Sequence, residues 1–200
     1  MKIGEAQQLY REQVKAYQEQ KSALSKRLKT MQSRMESAQD SEEKAMFSRD
    51  AAILELSIKE LNGKQKEYQD YLSELTDQYC AYWNATVAEQ QADAAKEYGE
   101  EMGKIMEVAR RIMKGGTVPQ SDEKKLMDFS YELYQAAKTI GEMVKRQEEK
   151  NEEYDTLWGE KKEKEYDDPQ EVAENATAAS DGPELVSPKD TLAGVFVAEE

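Results

Sequence analysis

The residue types that most often perform chemistry in proteins are scarce in this sequence. It contains no histidine and one cysteine, Cys80, among 200 residues. Histidine is the commonest general acid and base, and zinc sites are built from clusters of cysteine and histidine. Carboxylate pairs on one helix face, such as Glu74 with Asp77, arise by chance in helices this acidic. The sequence therefore predicts no catalytic residue, no metal ligand and no cofactor site, and we expect a protein that is not an enzyme.

The surroundings of Cys80 favour a structural role for this thiol. It lies close to Tyr79 and Tyr82 and has no basic residue nearby, so we expect a small buried apolar side chain. A lone cysteine excludes an intrachain disulfide and favours a reducing compartment. The N-terminal residues 1–5 lack the apolar run of a secretory signal, and no run of about 18 apolar residues exists. These features predict a cytoplasmic protein without a membrane span.

Charge is distributed unevenly along the chain, whose net charge is −14. From Glu148 onward there are 17 acidic and 5 basic residues, a balance of −12. The preceding 147 residues carry 25 acidic and 23 basic residues, a balance of −2. A nearly neutral body disfavours general nucleic-acid binding. The mean hydropathy of −0.95 is typical of long helices that bury one seam each.

Apolar residues recur every seven positions in three segments, which predicts three helices with coiled-coil seams over about residues 3–38, 41–114 and 121–158. The central segment lacks proline and would be about 110 Å long at about 1.5 Å per residue. Gln7 and Lys21 occupy polar seam positions of the first helix, which either fix the register or lie at a wet edge, and Gln65 is the polar exception in the central seam. The first seam consists of Ile3, Tyr10, Tyr17, Leu24, Met31 and Ala38, and the third of Leu126, Leu133, Ile140, Gln147 and Tyr154.

Short turns separate these segments, one near residues 38–41 and the other at 115–119, where two glycines and a proline end the central helix. Short connections make neighbouring helices antiparallel. We therefore predict an all-α, elongated, coiled-coil-like scaffold over residues 1–158, with one long central helix and an antiparallel helix folded back on each half. In this arrangement Tyr10 lies near Gln69, and Tyr154 lies near Cys80.

The seven-residue spacing slips after Tyr82 and resumes through Ala95 and Tyr98 toward Ile112. Such a stutter locally relaxes a left-handed supercoil and rotates the seam. The start of the first helix and the end of the third both reach residues 77–83 in this arrangement. We interpret this junction either as a surface that contacts a partner or as an aromatic plug that seals two hairpins.

Residues 159–200 lose the helical pattern and contain three prolines among many charges, which predicts a disordered acidic tail. Its one apolar cluster, residues 191–197, either docks on a partner, folds onto the protein's own junction near Trp83, or is a remnant with no binding role. Together the junction and this cluster provide the residues expected to contact a partner. They are Tyr79, Tyr82, Trp83, Trp158, Leu192, Val195, Phe196 and Val197.

The function that fits these features best is a cytoplasmic interaction protein, either an elongated helical adaptor or a chaperone-like scaffold that binds other proteins. One alternative is a structural coiled-coil rod that oligomerises through its seams. Another is an accessory chaperone of a flagellar or secretion export system, since such proteins are also helical and acidic. Helix one is basic, with Lys21, Lys26, Arg27 and Lys29, but the overall charge balance disfavours a membrane-surface or nucleic-acid binder.

Overall fold

A computed structural model describes residues 1–147, 152–159 and 164–197. These ranges contain six α-helices, and their only β-type pairing is two isolated bridges. The predicted all-α class, with one very long helix packed against shorter ones, is confirmed. The helices are α1 (Ile3–Ser37), α2 (Ser41–Met113), α3 (Gln120–Phe129), α4 (Tyr131–Gln147), α5 (Pro169–Asn175) and α6 (Pro188–Val197).

The chain forms two compact units. The first unit combines Met1–Thr86 with Asp167–Glu200, and the second unit comprises Val87–Tyr166. Helix α2 contributes its N-terminal part to the first unit and its C-terminal part to the second. Each unit has its own cluster of buried apolar side chains.

The first unit is built on α1 and α2, which run antiparallel. Residues later in α1 contact residues earlier in α2. The rings of Tyr10 and Tyr71 lie 4.8 Å apart, and further along Lys21 donates a 2.6 Å hydrogen bond to Gln65. Gln65 is buried, so the two polar seam positions pair with each other and favour one register. The buried apolar cluster consists of Ile3, Ala6, Tyr10, Tyr17, Leu24, Leu61, Tyr68, Tyr71, Leu75 and Leu192.

Helix α2 is continuous through Asn62 and Gly63, as the uninterrupted spacing predicts. Gly63 has no neighbour close to where a Cβ would lie, so it costs helix propensity and nothing else. No residue between Leu75 and Ile105 is buried. The resumed seam therefore differs from the prediction, and Tyr98 is 68% exposed. Ala, Glu and Gln are frequent in this stretch, and their helix propensity supports it without a packed partner.

The C-terminal segment also differs from the predicted disordered tail over its described part. Residues 164–197 include α5 and α6, and Asp168 caps α5 by accepting a 2.8 Å hydrogen bond from the Gln170 amide. The Ile3 amide donates to the Ala176 carbonyl at 2.9 Å, which ties this segment to the start of α1. The segment is ordered although its composition predicts disorder. Hydrogen bonds to α1 and α2 hold it in place, more than burial of its own apolar side chains does.

The second unit begins where α2 ends. Gly115 has φ +82° and Gly116 donates to the Arg111 carbonyl at 3.0 Å, while Gly115 donates to the Ile112 carbonyl at 2.9 Å. This pair of hydrogen bonds is the Schellman motif, and the predicted glycine stop is present. Gly141 of α4 then crosses Ile112 so closely that a Cβ on it would overlap the Ile112 carbonyl. Glycine is therefore required at this crossing.

The predicted third helix, residues 121–158, is divided in the structure. Ser130 is extended, and its hydroxyl accepts a 3.2 Å hydrogen bond from the Leu133 amide, so it ends α3 and caps α4. Residues 152–159 are not helical, because Thr117 in the loop after α2 donates a backbone hydrogen bond to the Glu152 carbonyl at 2.8 Å and accepts one from the Tyr154 amide at 2.9 Å. Tyr154 packs on the Arg111 guanidinium at 4.6 Å instead of near Cys80.

Buried Asp122 fixes this non-helical segment. The Asp122 carboxylate accepts hydrogen bonds from the Thr156 hydroxyl at 2.7 Å and the Leu157 amide at 3.0 Å. Asp122 is only 1% exposed, so these partners are needed to hold a carboxylate there. Trp158 donates to Glu101 at 2.7 Å.

Leu61→Asp should destabilise the first unit selectively. Leu61 is fully buried in the cluster of the first unit, and an unpaired carboxylate there costs several kcal/mol, roughly 3 or more. Hydrogen exchange should rise for amides near Leu24 and stay unchanged near Leu126. Val108→Asp, at a fully buried position of the second unit, is the matched control and should give the reverse pattern. An equal rise in both regions would mean one cooperative core.

Candidate functional site

Four tyrosines form a continuous aromatic surface between α1 and α2, which we call the tyrosine groove: Tyr10, Tyr17, Tyr68 and Tyr71. All four are at most 6% exposed. The rings of Tyr10 and Tyr68 are 5.7 Å apart, and those of Tyr17 and Tyr68 are 5.4 Å apart in an edge-to-face arrangement. Aromatic pairs favour such tilted contacts over flat stacking. Three of these residues belong to the predicted seams, and Tyr71 does not.

The hydroxyls of the groove point at one segment, residues 178–192, which we call the strap. It is non-helical up to Ser187 and continues into α6. Each phenol donates a hydrogen bond to a main-chain carbonyl of the strap. The pairs are Tyr71 to Ser180 at 2.8 Å, Tyr10 to Pro183 at 2.7 Å, Tyr68 to Glu184 at 2.9 Å and Tyr17 to Val186 at 2.8 Å. The Tyr68 hydroxyl also accepts from the Val186 amide at 2.9 Å. The groove therefore holds the strap through its backbone.

The strap passes directly over the aromatic rings at Gly182. A Cβ on this residue would overlap both the Tyr10 hydroxyl and the Tyr71 ring. Leu192, at the far end of the strap, is buried in the cluster of the first unit, and Ala178 packs against the same cluster. Apolar contacts thus anchor the two ends of the strap, and a side-chain-free position lets its middle approach the tyrosines.

Burial changes the acid–base properties of the groove. Removal from water raises the pKa of Tyr17 to about 12, and it also raises the pKa of Tyr10 and of Tyr71. The phenols therefore keep the protons that they donate to the strap. At the edge of the groove the pKa of Lys64 is raised by its hydrogen bond to Glu67 and, further, by the charge of Glu184 in the strap.

The groove aligns four phenol donors along the main chain of the strap. In the described residues no group of three His, Cys, Asp or Glu side chains is placed to hold a metal ion. No helix of the described ranges is long and apolar enough to cross a membrane.

Cys80 is exposed, which differs from the expected buried side chain. It lines an open cleft of about 1010 Å³ in the first unit together with Lys2, Arg11, Tyr79 and Glu174. The cleft lies beside the first turns of α1, so the start of α1 does reach this part of α2 as predicted.

The structure distributes the predicted contact residues among different environments. Tyr79 packs against the cluster of the first unit, while Tyr82 and Trp83 are 43% and 37% exposed. Leu192 is 8% exposed within the same cluster, so in this structure it is part of the fold. The side chains of Val195, Phe196 and Val197 lie outside the described residues.

Trp158 belongs to the second unit and packs against the cluster there. Its ring lies 4.1 Å from the Lys125 ammonium, a cation–π contact, and its indole N–H donates to Glu101. Glu101 also forms an ion pair with Lys125 at 3.4 Å. This network ties residues 152–159 to α2 and α3, so the geometry of Trp158 is that of an anchoring residue.

A second surface of interest is the outer side of α4, which we call the α4 face: Ala136, Ile140 and Met143. Their spacing of four and three residues places them on one side of a helix. Ile140 is 44% exposed and Met143 is 59% exposed, although Ile140 was expected in a buried seam. Met127, Phe129 and Tyr131, near the break between α3 and α4, are also exposed.

The sequence already contained the signals for both surfaces. Tyrosine at repeated seam positions implies hydroxyls that need acceptors when buried, and the pattern Asp181-Gly182-Pro183 marks a segment able to approach other groups closely. Helix α4 has more apolar residues than one helix seam can bury. Neither signal reveals which element supplies the partner.

No protein-family model, curated protein or solved structure matches this chain. The function must therefore be argued from these two surfaces.

Deprotonation of Tyr17 should release the strap at high pH. The pKa of Tyr17 is raised from 10.0 to about 12 in the folded protein. A raised folded-state pKa contributes stability that is complete below pH 10 and is lost as the pH rises toward 12, on the order of 3 kcal/mol at about 1.4 kcal/mol per pKa unit.

Thermal unfolding measured across this pH window checks this expectation. Tyr17→Phe should start less stable at neutral pH, since it loses two hydroxyl contacts, and should then lose less further stability than the wild type. Tyr82→Phe, at a position 43% exposed, is the matched control and should follow the wild-type curve. Parallel curves for all three proteins would contradict the assignment to Tyr17.

Proposed function

We propose that this protein is a non-enzymatic helical adaptor that binds another protein through the α4 face of its second unit. The observation that carries the proposal is the exposure of Ile140 and Met143, at 44% and 59%, in a row with helical spacing. Large apolar side chains grouped on a surface mark interaction sites more often than isolated ones do. The row has the spacing with which one amphipathic helix meets another.

The support beneath this face is rigid. Ala137 and Gly141, on the side of α4 next to this face, are buried, and Gly141 crosses Ile112 at close range. The Leu133 amide is capped by Ser130 at the start of the helix. A face held in this way needs little reorganisation on binding, which favours affinity. These contacts support a preformed docking surface for a helix of a partner protein.

Self-association through the same face is the second candidate function. The same row of apolar side chains could pair with its copy in a second molecule, since a two-fold interface uses one patch on both partners. The cytoplasmic setting and the adaptor or chaperone role remain part of the proposal. Both candidate functions depend on Ile140 and Met143.

The double substitution Ile140→Glu with Met143→Glu should abolish partner binding without unfolding the protein. Each change places a charge where an apolar contact of about 1–3 kcal/mol would form, so we expect recovery of a native partner to fall about tenfold or more. The measurement is quantitative mass spectrometry after purification from the native cell. Because both sites are exposed, the melting temperature should stay within a few degrees.

Leu56→Glu, on an exposed apolar position of the first unit at 49%, is the matched control and should leave recovery unchanged. Light scattering at two concentrations separates the two candidates. A wild-type dimer that the double substitution converts to a monomer would favour self-association over the adaptor. Unchanged recovery of every partner by the double variant would refute binding through the α4 face.

A further inference from the structure

We propose that the tyrosine groove is a peptide-recognition site in its own right, and that the strap is a ligand bound in cis. Its external ligand is an extended segment of a partner protein that carries a glycine followed by a proline. This site lies within the first unit and does not depend on the α4 face. The bound strap shows directly what the groove accepts.

Recognition runs mainly through the strap's backbone. The acceptors for Tyr10, Tyr17 and Tyr71 are main-chain carbonyls, at 2.7–2.8 Å. Carbonyls are present in every peptide, so the four donors can align with any extended chain that reaches them. The strap's own side chains at Glu184 and Leu185 are exposed and contribute little to burial. A segment from another molecule can therefore reproduce most of these contacts.

Selectivity comes from Gly182. Any larger residue would overlap the Tyr10 hydroxyl and the Tyr71 ring, so the groove rejects peptides without glycine at this position. Pro183 follows and presets an extended backbone with low conformational entropy. Together these features define a Gly-Pro ligand.

The strap can leave without dismantling the antiparallel helices. The contacts between α1 and α2, such as Lys21 with Gln65, do not involve it. When it leaves, water can replace the carbonyls as acceptors for the phenols, since the groove then opens to solvent. The segment stays attached through α5, whose Ala173 is buried. Because the strap is tethered to the groove, it has a fixed effective concentration, and an external peptide must compete against that concentration to bind.

The decisive experiment uses the full chain with Gly182→Val, in which the branched side chain excludes the strap from the groove. A fluorescent peptide of residues 178–193 with the native sequence should bind this variant. The same peptide carrying Gly182→Val should not bind it. Binding of the native peptide to the wild-type chain should be about tenfold weaker or more, because it competes with a tethered strap at an effective concentration in the millimolar range.

Circular dichroism establishes that the variant keeps its helices. A helical Gly182→Val chain that fails to bind the native peptide, or that binds both peptides equally, would overturn the proposal. A wild-type dimer that disappears in Gly182→Val would also overturn it, by assigning the strap of a second copy as the occupant.

Hydrogen exchange on the wild-type chain provides a test that requires no substitution in the protein. The Val186 amide is bonded to the Tyr68 hydroxyl in the closed state, so its exchange reports strap release. Adding the native peptide should accelerate exchange of this amide in a saturable way, and the valine peptide should not. The same rate with and without native peptide would mean that the groove takes its own strap alone.

Discussion

The first unit depends on a simple requirement, that a buried phenol hydroxyl must have a hydrogen-bond acceptor. Leucine at these seam positions would need no hydrogen-bond partner, but the positions are occupied by Tyr10, Tyr17 and Tyr68. An unpaired buried hydroxyl costs on the order of 1–3 kcal/mol, and two α-helices cannot supply acceptors, because their carbonyls are already bonded. An extended third segment can, since its carbonyls are free. The strap answers this need.

In the second unit, the buried group that needs a hydrogen-bond partner is an acceptor instead of a donor. Asp122 is a buried acceptor, and it is satisfied by donors from Thr156 and Leu157 in a non-helical segment. In both units a polar side chain on a helix captures the backbone or hydroxyl groups of a later, irregular stretch. Polar pairing thus determines where the irregular stretches lie, while apolar spacing determines which helices pair.

This division explains how much the sequence could predict. The seven-residue spacing depends on residues close in sequence, so the helix bounds near residues 3, 41 and 114 and the antiparallel pairing of α1 with α2 could be inferred. The ordered conformation of residues 168–192 depends on hydrogen bonds to residues more than one hundred positions away, such as that between Tyr71 and Ser180. The division of the third helix depends likewise on Asp122 and Thr156. Composition alone could not reveal either contact.

Because the first unit combines residues 1–86 with residues 167–200, it is discontinuous in the order in which the ribosome makes the chain. Every residue of the second unit is synthesised before the strap emerges. At typical elongation rates of roughly 5–20 residues per second, α1 and α2 wait several seconds with their tyrosines open to solvent. During biosynthesis the groove is therefore exposed before the strap is made. Any factor that binds nascent chains can meet the groove during this interval.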